Sequence, residues 1–379
     1  LKKVAPIAQL TEIPMEPANA PEWYETRYDP FASLEQWQQV NMTPNLPVAS
    51  EVLLEMFENA KGQQLDGVLA MDPIALGMLS RGTGELQAEG LDVAVSEDNA
   101  RRVLLESIYE EFPNNDAQNA YLGALITEFW ERIATADVNA PELLGGMGEA
   151  ASSRHLQVYS SDDRAQEALV SAEVAGTYDS YGPNVQMVFN NNLAASKVDY
   201  FLRRSVNTNI VIANDGSAEV TTTIKVRNRA PSGGSPLTDI KIDSDPEGLN
   251  RLFLNAMLPQ GAQLHTVDVG SEARPAVADD EAGFPTVWDI VVLESGDATT
   301  MKVNYRLPNA LDTSGGRSGM DWTLVPQATV RPDKFSVRVQ APDGFTASIE
   351  EENGEAEPGP SLKGKLSSVR SLRIQLERR

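Results

Sequence analysis

In the first half of the chain, apolar residues recur at helical spacing. Val48, Val52, Leu53, Met56 and Phe57 follow the Pro44 and Pro47 breakers, and Gly62 stops the run, which predicts one helix. Leu65 to Met71 is a short apolar run closed by Asp72-Pro73, so a strand is expected to hand over to a helix reaching Leu79. Asp72 suits the cap of that helix and Pro73 its first turn. Ser96 offers a cap for a helix carrying Val103, Leu104, Leu105, Ile108 and Tyr109, ended by Pro113. Asp116 opens a longer helix with Tyr121, Leu122, Leu125, Ile126, Phe129 and Trp130 on its apolar face. Pro141, Gly145, Gly146 and Gly148 predict a loop, followed by a strand Leu156 to Tyr159, a helix Ala165 to Val170 and a strand Val185 to Phe189. Strands interleaved with helices predict an α/β domain.

The second half changes period. Val206 to Ile212, Glu219 to Val226, Leu252 to Leu258, Val287 to Leu293, Thr299 to Tyr305 and Phe335 to Val339 are short alternating or β-branched runs. Turn signals such as Asn214-Asp215-Gly216, Ser295-Gly296-Asp297 and Pro342-Asp343-Gly344 separate them, which predicts an antiparallel β-sandwich. Polar insertions at 243–248, 278–283, 313–319 and 350–359 read as surface loops. The first residues hold Pro6, Pro14, Pro17, Pro21 and Pro30 with Trp23, Tyr24 and Tyr28, the pattern of an extended connector with aromatic plugs. The expected division is a connector over 1–34, an α/β domain over 35–200 and a β-sandwich over 201–379.

Charge sharpens that division. Residues 1–200 carry 31 acids and 11 bases, whereas 201–379 carry 24 and 20. The net charge of −24 repels phosphate backbones and anionic lipid, so nucleic acid is not an expected partner. With 41% hydrophobic and 23% charged residues among 379, the chain has the composition of a folded protein large enough for two or three domains. The absence of Cys removes disulfides, zinc-thiolate sites, iron–sulfur clusters and thiol chemistry. No apolar run approaches the roughly 20 residues of a membrane helix. Because the first residue is Leu1, any signal peptide or anchor is expected upstream.

Candidate chemistry is sparse. A nucleophilic serine would need G-x-S-x-G, and the nearest string, Gly316-Arg317-Ser318-Gly319, has the wrong spacing. His155 and His265 fall one in each half, too few for a histidine-based triad or facial metal site. Gly146-Met147-Gly148-Glu149-Ala150-Ala151 formally fits G-x-G-x-x-A but follows no clear strand and reads as loop. Asp243, Asp245, Glu247 and Gly248 imitate the start of a calcium loop, yet Leu254 stands where the bidentate Glu belongs. Asp66 and Asp72 flank an apolar run and would lie about 20 Å apart on a strand, too far to act together. Three residues remain as binding candidates. Arg154 and His155 precede the run Leu156 to Tyr159 after a Gly-rich stretch, and Asp72 ends the earlier run; strand ends beside loops are where α/β sheets present ligands. No catalytic residue is assigned, and neither a metal nor a cofactor is expected.

One family resemblance organises these strings. Leu65-Asp66-Gly67-Val68-Leu69-Ala70-Met71-Asp72-Pro73, preceded by Thr43-Pro44-Asn45-Leu46-Pro47 and followed by Gly82-Thr83-Gly84, resembles the core of the bacterial, mainly actinobacterial, domain of unknown function DUF4012. Asp98-Asn99-Ala100, Arg154-His155-Leu156, Tyr159-Ser160, Ala175-Gly176, Asn190-Asn191, Lys197 to Leu202, Val325-Pro326-Gln327 and Val330 to Asp333 extend it along the chain. The same resemblance puts a basic residue before the strand at Arg154. It implies a membrane-anchored protein on the extracytoplasmic face of the bacterial cell membrane or envelope. Binding or scaffolding of envelope components is then the expected function, with an envelope glycan or polyprenyl-linked glycan as partner and membrane contact only through an upstream anchor. The helix, the strand ending in Asp and the next helix are also similar, more remotely, to the LytR-CpsA-Psr ligases. That similarity implies a three-layer α/β domain and, as the alternative function, a phosphotransferase or pyrophosphatase acting on polyprenyl-linked glycopolymer. Those enzymes hold pyrophosphate with clustered Arg and a magnesium-binding Asp. Here residues 1–200 contain only seven Arg, scattered and outnumbered by acids, which weighs against such a clamp.

Overall fold

The computed structural model describes residues 18–112, 114–194, 196–238, 245–274, 278–311, 318–352, 354 and 358–379. One compact unit runs to Ser180 and includes Ser235–Leu237; the other comprises Tyr181–Gly234 and Thr238–Arg379. The division falls at 180/181, not at the expected 200/201. The reason is a single strand, Val185–Asn192, which lies in the middle of a sheet of the second unit.

The first unit is built of helices that mostly begin on Asn or Asp. Helix α1 (Glu22–Tyr28) instead follows Pro21 and carries Glu22 and Glu25 in its first turn, where the helix dipole favours acids. Its Tyr24 and Tyr28 are fully buried, so this part of the expected connector is helical; residues 1–17 lie outside the described residues. Helix α2 (Leu46–Lys61) is capped by Asn45 and ends at left-handed Gly62. Strand β1 (Gly67–Met71) and helix α3 (Pro73–Thr83) follow as the sequence predicts. The next helix begins later than expected. Ser96 does not cap it; its N–H donates to Asn99 Oδ1, and α4 (Ala100–Arg102), a π turn (Val103–Ser107) and α5 (Ile108–Glu111) follow. Pro113 lies outside the described residues. Asn114, not Asp116, caps α6 (Asn115–Ala134) by accepting from Ala117 N.

The Gly-rich segment predicted as loop is helix α7 (Ala140–Ser152), capped by Asn139 with Pro141 in its first turn. Helix wins because two glycines where α3 and α7 cross serve packing. A Cβ on Gly146 would strike the Met78 carbonyl oxygen, and one on Gly82 would strike the Leu143 backbone, so the two helices approach this closely only with glycine there. Strand β2 (Leu156–Ser160) and α8 (Asp163–Ser171) complete the unit, with Asp162 capping α8. Among the described residues of this unit, β1 and β2 form one antiparallel pair. The sheet of a three-layer α/β domain is therefore not what these strands make. Leu76, Leu79, Val103, Leu104, Ile108, Leu125 and Phe129 form the helical core.

The second unit holds the β-rich part, in two seven-stranded sheets. The strands are β3 (Val185–Asn192), β4 (Leu202–Ile212), β5 (Ala218–Asn228), β6 (Asn250–Met257), β7 (Gln263–Val269), β8 (Glu272–Arg274), β9 (Asp279–Glu281), β10 (Phe284–Leu293), β11 (Ala298–Leu307), β12 (Ser318–Val325), β13 (Asp333–Gln340), β14 (Phe345–Glu351), β15 (Ser361–Leu366) and β16 (Arg370–Arg378). One sheet has the order β14-β16-β12-β3-β6-β10-β9 and the other β15-β13-β4-β5-β11-β7-β8. A single apolar cluster draws on both, from Leu252, Leu254 and Trp322 on one side to Ile210, Ile224 and Tyr305 on the other. Buried and accessible residues alternate along β4 and β5, the two-residue period that the sequence shows. The sheets are mixed, not purely antiparallel: β12 runs parallel to β3 and β13 parallel to β4.

Candidate functional site

The β1–β2 pair brings two of the three candidates together. In the ladder Met71 faces Leu156, and one step further the Asp72 N–H donates to the His155 carbonyl oxygen at 3.2 Å. This places the two side chains at one strand end. Asp72 Oδ1 accepts from Ile74 N and Ala75 N, each at 2.9 Å, as the Asp-Pro signature predicts for a helix cap. Its Oδ2 lies 2.5 Å from His155 Nδ1. A carboxylate only accepts, so in this pair Nδ1 is the donor. The His155 side chain is 9% exposed and that of Asp72 35%, so solvent reaches the pair mainly through the carboxylate.

Arg154 is adjacent in sequence and differently employed. It follows α7 in the left-handed region with φ +62°, a place usually held by Gly or Asn. Its side chain is buried. Nη2 donates to the carbonyl oxygens of Pro44 at 2.7 Å and Gly176 at 3.0 Å, and Nη1 to Thr177 O at 3.5 Å. The guanidinium thus ties the entry of α2 to the 176–177 turn, and these bonds offset the cost of the left-handed backbone. Gly176 has φ +71°, and a Cβ there would strike Gln157 Oε1. Arg81 is paired with Glu149 at 2.6 Å and Glu97 at 3.3 Å, and the bond to Glu149 holds its pKa up.

Of the other sequence candidates, His265 pairs with Glu219 at 3.3 Å on the exposed face of β7. Asp243 and the stretch 312–317 lie outside the described residues; Asp245 is held by Arg251 at 2.8 Å. Among the described residues no group of three or more His, Asp or Glu is placed to hold a metal ion.

A polar cluster in the second unit is not among the sequence candidates. Arg204 on β4 bonds Asp333 through Nε at 2.9 Å and Nη2 at 3.0 Å, and its Nη1 donates to Asn190 Oδ1 at 2.5 Å and Gln327 Oε1 at 2.7 Å. Asn190 and Asn250 donate to Asp199 at 3.1 and 2.8 Å. Asp199 keeps some exposed surface as a residue, yet its carboxyl is desolvated, which pushes its pKa up against the opposing pull of Asn250, Arg204 and Asn190. The strings Asn190-Asn191, Lys197 to Leu202, Val325 to Gln327 and Val330 to Asp333 supply four of these six residues and are the available signal.

The sequence profile of the family described as protein of unknown function (DUF4012) matches residues 3–109. Across that stretch the chain is similar to the DUF4012 family. The DUF4012 match takes in α2, β1, the Asp72 cap and α3; Arg154, His155 and the whole second unit lie beyond it. No curated protein matches the chain by sequence. Solved structures give only slight likenesses. A Legionella pneumophila protein described as a putative nutrient binding protein is 8% identical, with 50% of this chain and 72% of that chain covered and a TM-score of 0.27. An M1 zinc metallopeptidase of Deinococcus radiodurans is 12% identical over 46% of this chain and 42% of its own, with a TM-score of 0.26. Yeast LTA4 hydrolase is 10% identical over 48% and 30%, with a TM-score of 0.25. At these scores none of the three bears on fold or function.

Proposed function

We propose that the protein is an extracytoplasmic, membrane-tethered component of the bacterial cell envelope that works by binding or holding envelope components. The observation that carries this reading is the employment of Arg154. A pyrophosphate-handling site at this strand end would have to begin with that cation, and its guanidinium is buried and already donating to Pro44, Gly176 and Thr177 carbonyls. The location rests on the family resemblance, which implies an outward-facing, anchored protein, and the partner suggested by the same resemblance is an envelope or polyprenyl-linked glycan. A second reading, phosphotransfer or pyrophosphate hydrolysis on lipid-linked glycopolymer, is favoured by one feature, the Asp72–His155 pair with its partly exposed carboxylate.

Co-sedimentation with isolated bacterial cell-wall sacculi tests the binding reading. The chain is expected to pellet with sacculi carrying their glycopolymer and less with sacculi stripped of it. Equal recovery in the supernatant with and without sacculi would overturn the reading.

A further inference from the structure

The four outer edges of the two sheets differ in how they are guarded. Strand β15 carries Lys363 and Lys365 around Gly364, β14 carries Glu350 and Glu351, and β8 is three residues long. Short strands and charges of this kind keep edges from pairing. The fourth edge is different. Strand β9 pairs only with Phe284–Thr286, so Val287 to Leu293 of β10 have no strand partner on the side away from β6 among the described residues. Phe284 and Thr286 point their backbone bonds toward β9, and the alternation of an antiparallel ladder gives Trp288, Ile290 and Val292 the same direction. Their side chains also lie on the accessible face, 44%, 41% and 47% exposed, while Val287, Val291 and Leu293 enter the core. Trp288 is propped by Phe253, with ring centroids 5.0 Å apart, and its indole N–H donates to Asp279.

The charge around this stripe is mainly acidic. From Asp279 to Asp297 the chain holds six acids and no Lys, Arg or His; Glu281 and Asp289 are buried, and Asp279, Asp280, Glu294 and Asp297 keep accessible surface. Arg251, opposite Val292 on β6, is spent on Asp245. Asp289 turns inward and its Oδ1 accepts the Ile290 N–H, so a strand added at this edge pairs with Trp288 and Val292 and leaves the Ile290 N–H to Asp289. A second copy is disfavoured because it would bring two acidic hairpins together.

We propose that the open edge of β10 takes an extended polypeptide segment in which Lys or Arg alternates with apolar residues. Backbone pairing at Trp288 and Val292 gives register, the apolar residues cover the Trp288–Ile290–Val292 stripe, and the cations meet the acids of the β9–β10 hairpin and the turn after it. This deepens the binding reading by naming a class of protein partner, and it concerns a surface that the sacculus assay does not probe. Loss of peptide binding with sacculus binding intact would remove this inference alone.

The test uses the full chain and synthetic peptides of about ten residues, a length that spans the edge. An alternating Arg/Val peptide is expected to bind, with affinity falling as salt rises. A Glu/Val peptide and an Arg/Gly peptide are expected to bind at least about ten-fold more weakly, since the first lacks charge complementarity and the second lacks strand propensity. Ile290→Lys and, independently, Val292→Lys place a cation on the exposed face without touching the core and are each expected to weaken the Arg/Val peptide by about ten-fold. Equal binding of either control peptide, unchanged binding by both folded variants, no binding of the Arg/Val peptide at about millimolar concentration, or self-association of the chain that Ile290→Lys disperses would each overturn the proposal.

Discussion

Arg154 shows how a residue that looks like a ligand-binding cation in sequence becomes a structural tie. Each hydrogen bond from a charged donor to a carbonyl contributes about 1.5–3 kcal/mol, and removing the guanidinium leaves carbonyls of Pro44 and Gly176 underused. Arg154→Ala is therefore expected to lower unfolding stability by about 2–4 kcal/mol in urea denaturation. Arg154→Gly loses the same bonds but relieves the left-handed backbone, so it should be about 1 kcal/mol more stable than the Ala variant. The reverse order would show that the φ of +62° carries no strain. Asp72 was legible because the Asp-Pro cap is local chemistry. The role of Arg154 was not, because its partners at Pro44, Gly176 and Thr177 are brought to it by α2 and the 176–177 turn. Asp199 gives a pH prediction. Burial raises its carboxyl pKa, so the folded chain holds a proton that the unfolded chain releases. That contribution is complete at acid pH and is lost as pH rises above the ordinary carboxylate range. Asp199→Asn removes the titration, and its amide can bond Asn250 Oδ1, which has no partner in the native cluster. Thermal melts across acid to neutral pH should show the variant gaining on the parent as pH rises; parallel curves would contradict the assignment.

At the scale of elements, α7 marks where sequence rules lead to the wrong answer. Three glycines in thirteen residues read as loop, since each costs a helix about 1 kcal/mol relative to Ala. Long-range packing against α3 offsets that cost, and it offsets it only where the helices cross. A Cβ on Gly145 or Gly148 would stand in open space, whereas one on Gly146 or Gly82 would collide with the facing helix. Gly145→Ala and Gly148→Ala are thus expected to stabilise by about 0.5–1 kcal/mol each, while Gly146→Ala and Gly82→Ala destabilise. Equal signs for Gly145→Ala and Gly146→Ala in denaturant titrations would contradict the close crossing. The β-rich part was easier to read. Strands with clean alternation, such as β4, β5 and β11, stand out by period. The polar, Gly-bearing β15 carries little apolar signal, with Leu362 and Leu366 as its apolar residues at the edge of a sheet, whereas β16 has the same two-residue period in Leu372, Ile374 and Leu376.

At the scale of the whole molecule, charge asymmetry located two units but not their border. Strand β3 carries no charged residue and sits among residues counted with the first half, yet it pairs with β6 and β12 in mid-sheet. A fragment starting at Tyr181 should unfold cooperatively, whereas one starting at Phe201 lacks that central strand and should not; equal cooperativity would return the border to 200/201. Function turns on whether the Asp72–His155 end of the β1–β2 pair only holds the fold, leaving the protein to act by binding, or also moves protons for chemistry. Phosphorus NMR of a polyprenyl-pyrophosphate-linked glycan with magnesium, incubated with the parent chain and with His155→Gln, separates the two most directly. A binding protein leaves the pyrophosphate resonances unchanged in both samples, which is the expected result; their conversion to monophosphate by the parent and not by His155→Gln would contradict it.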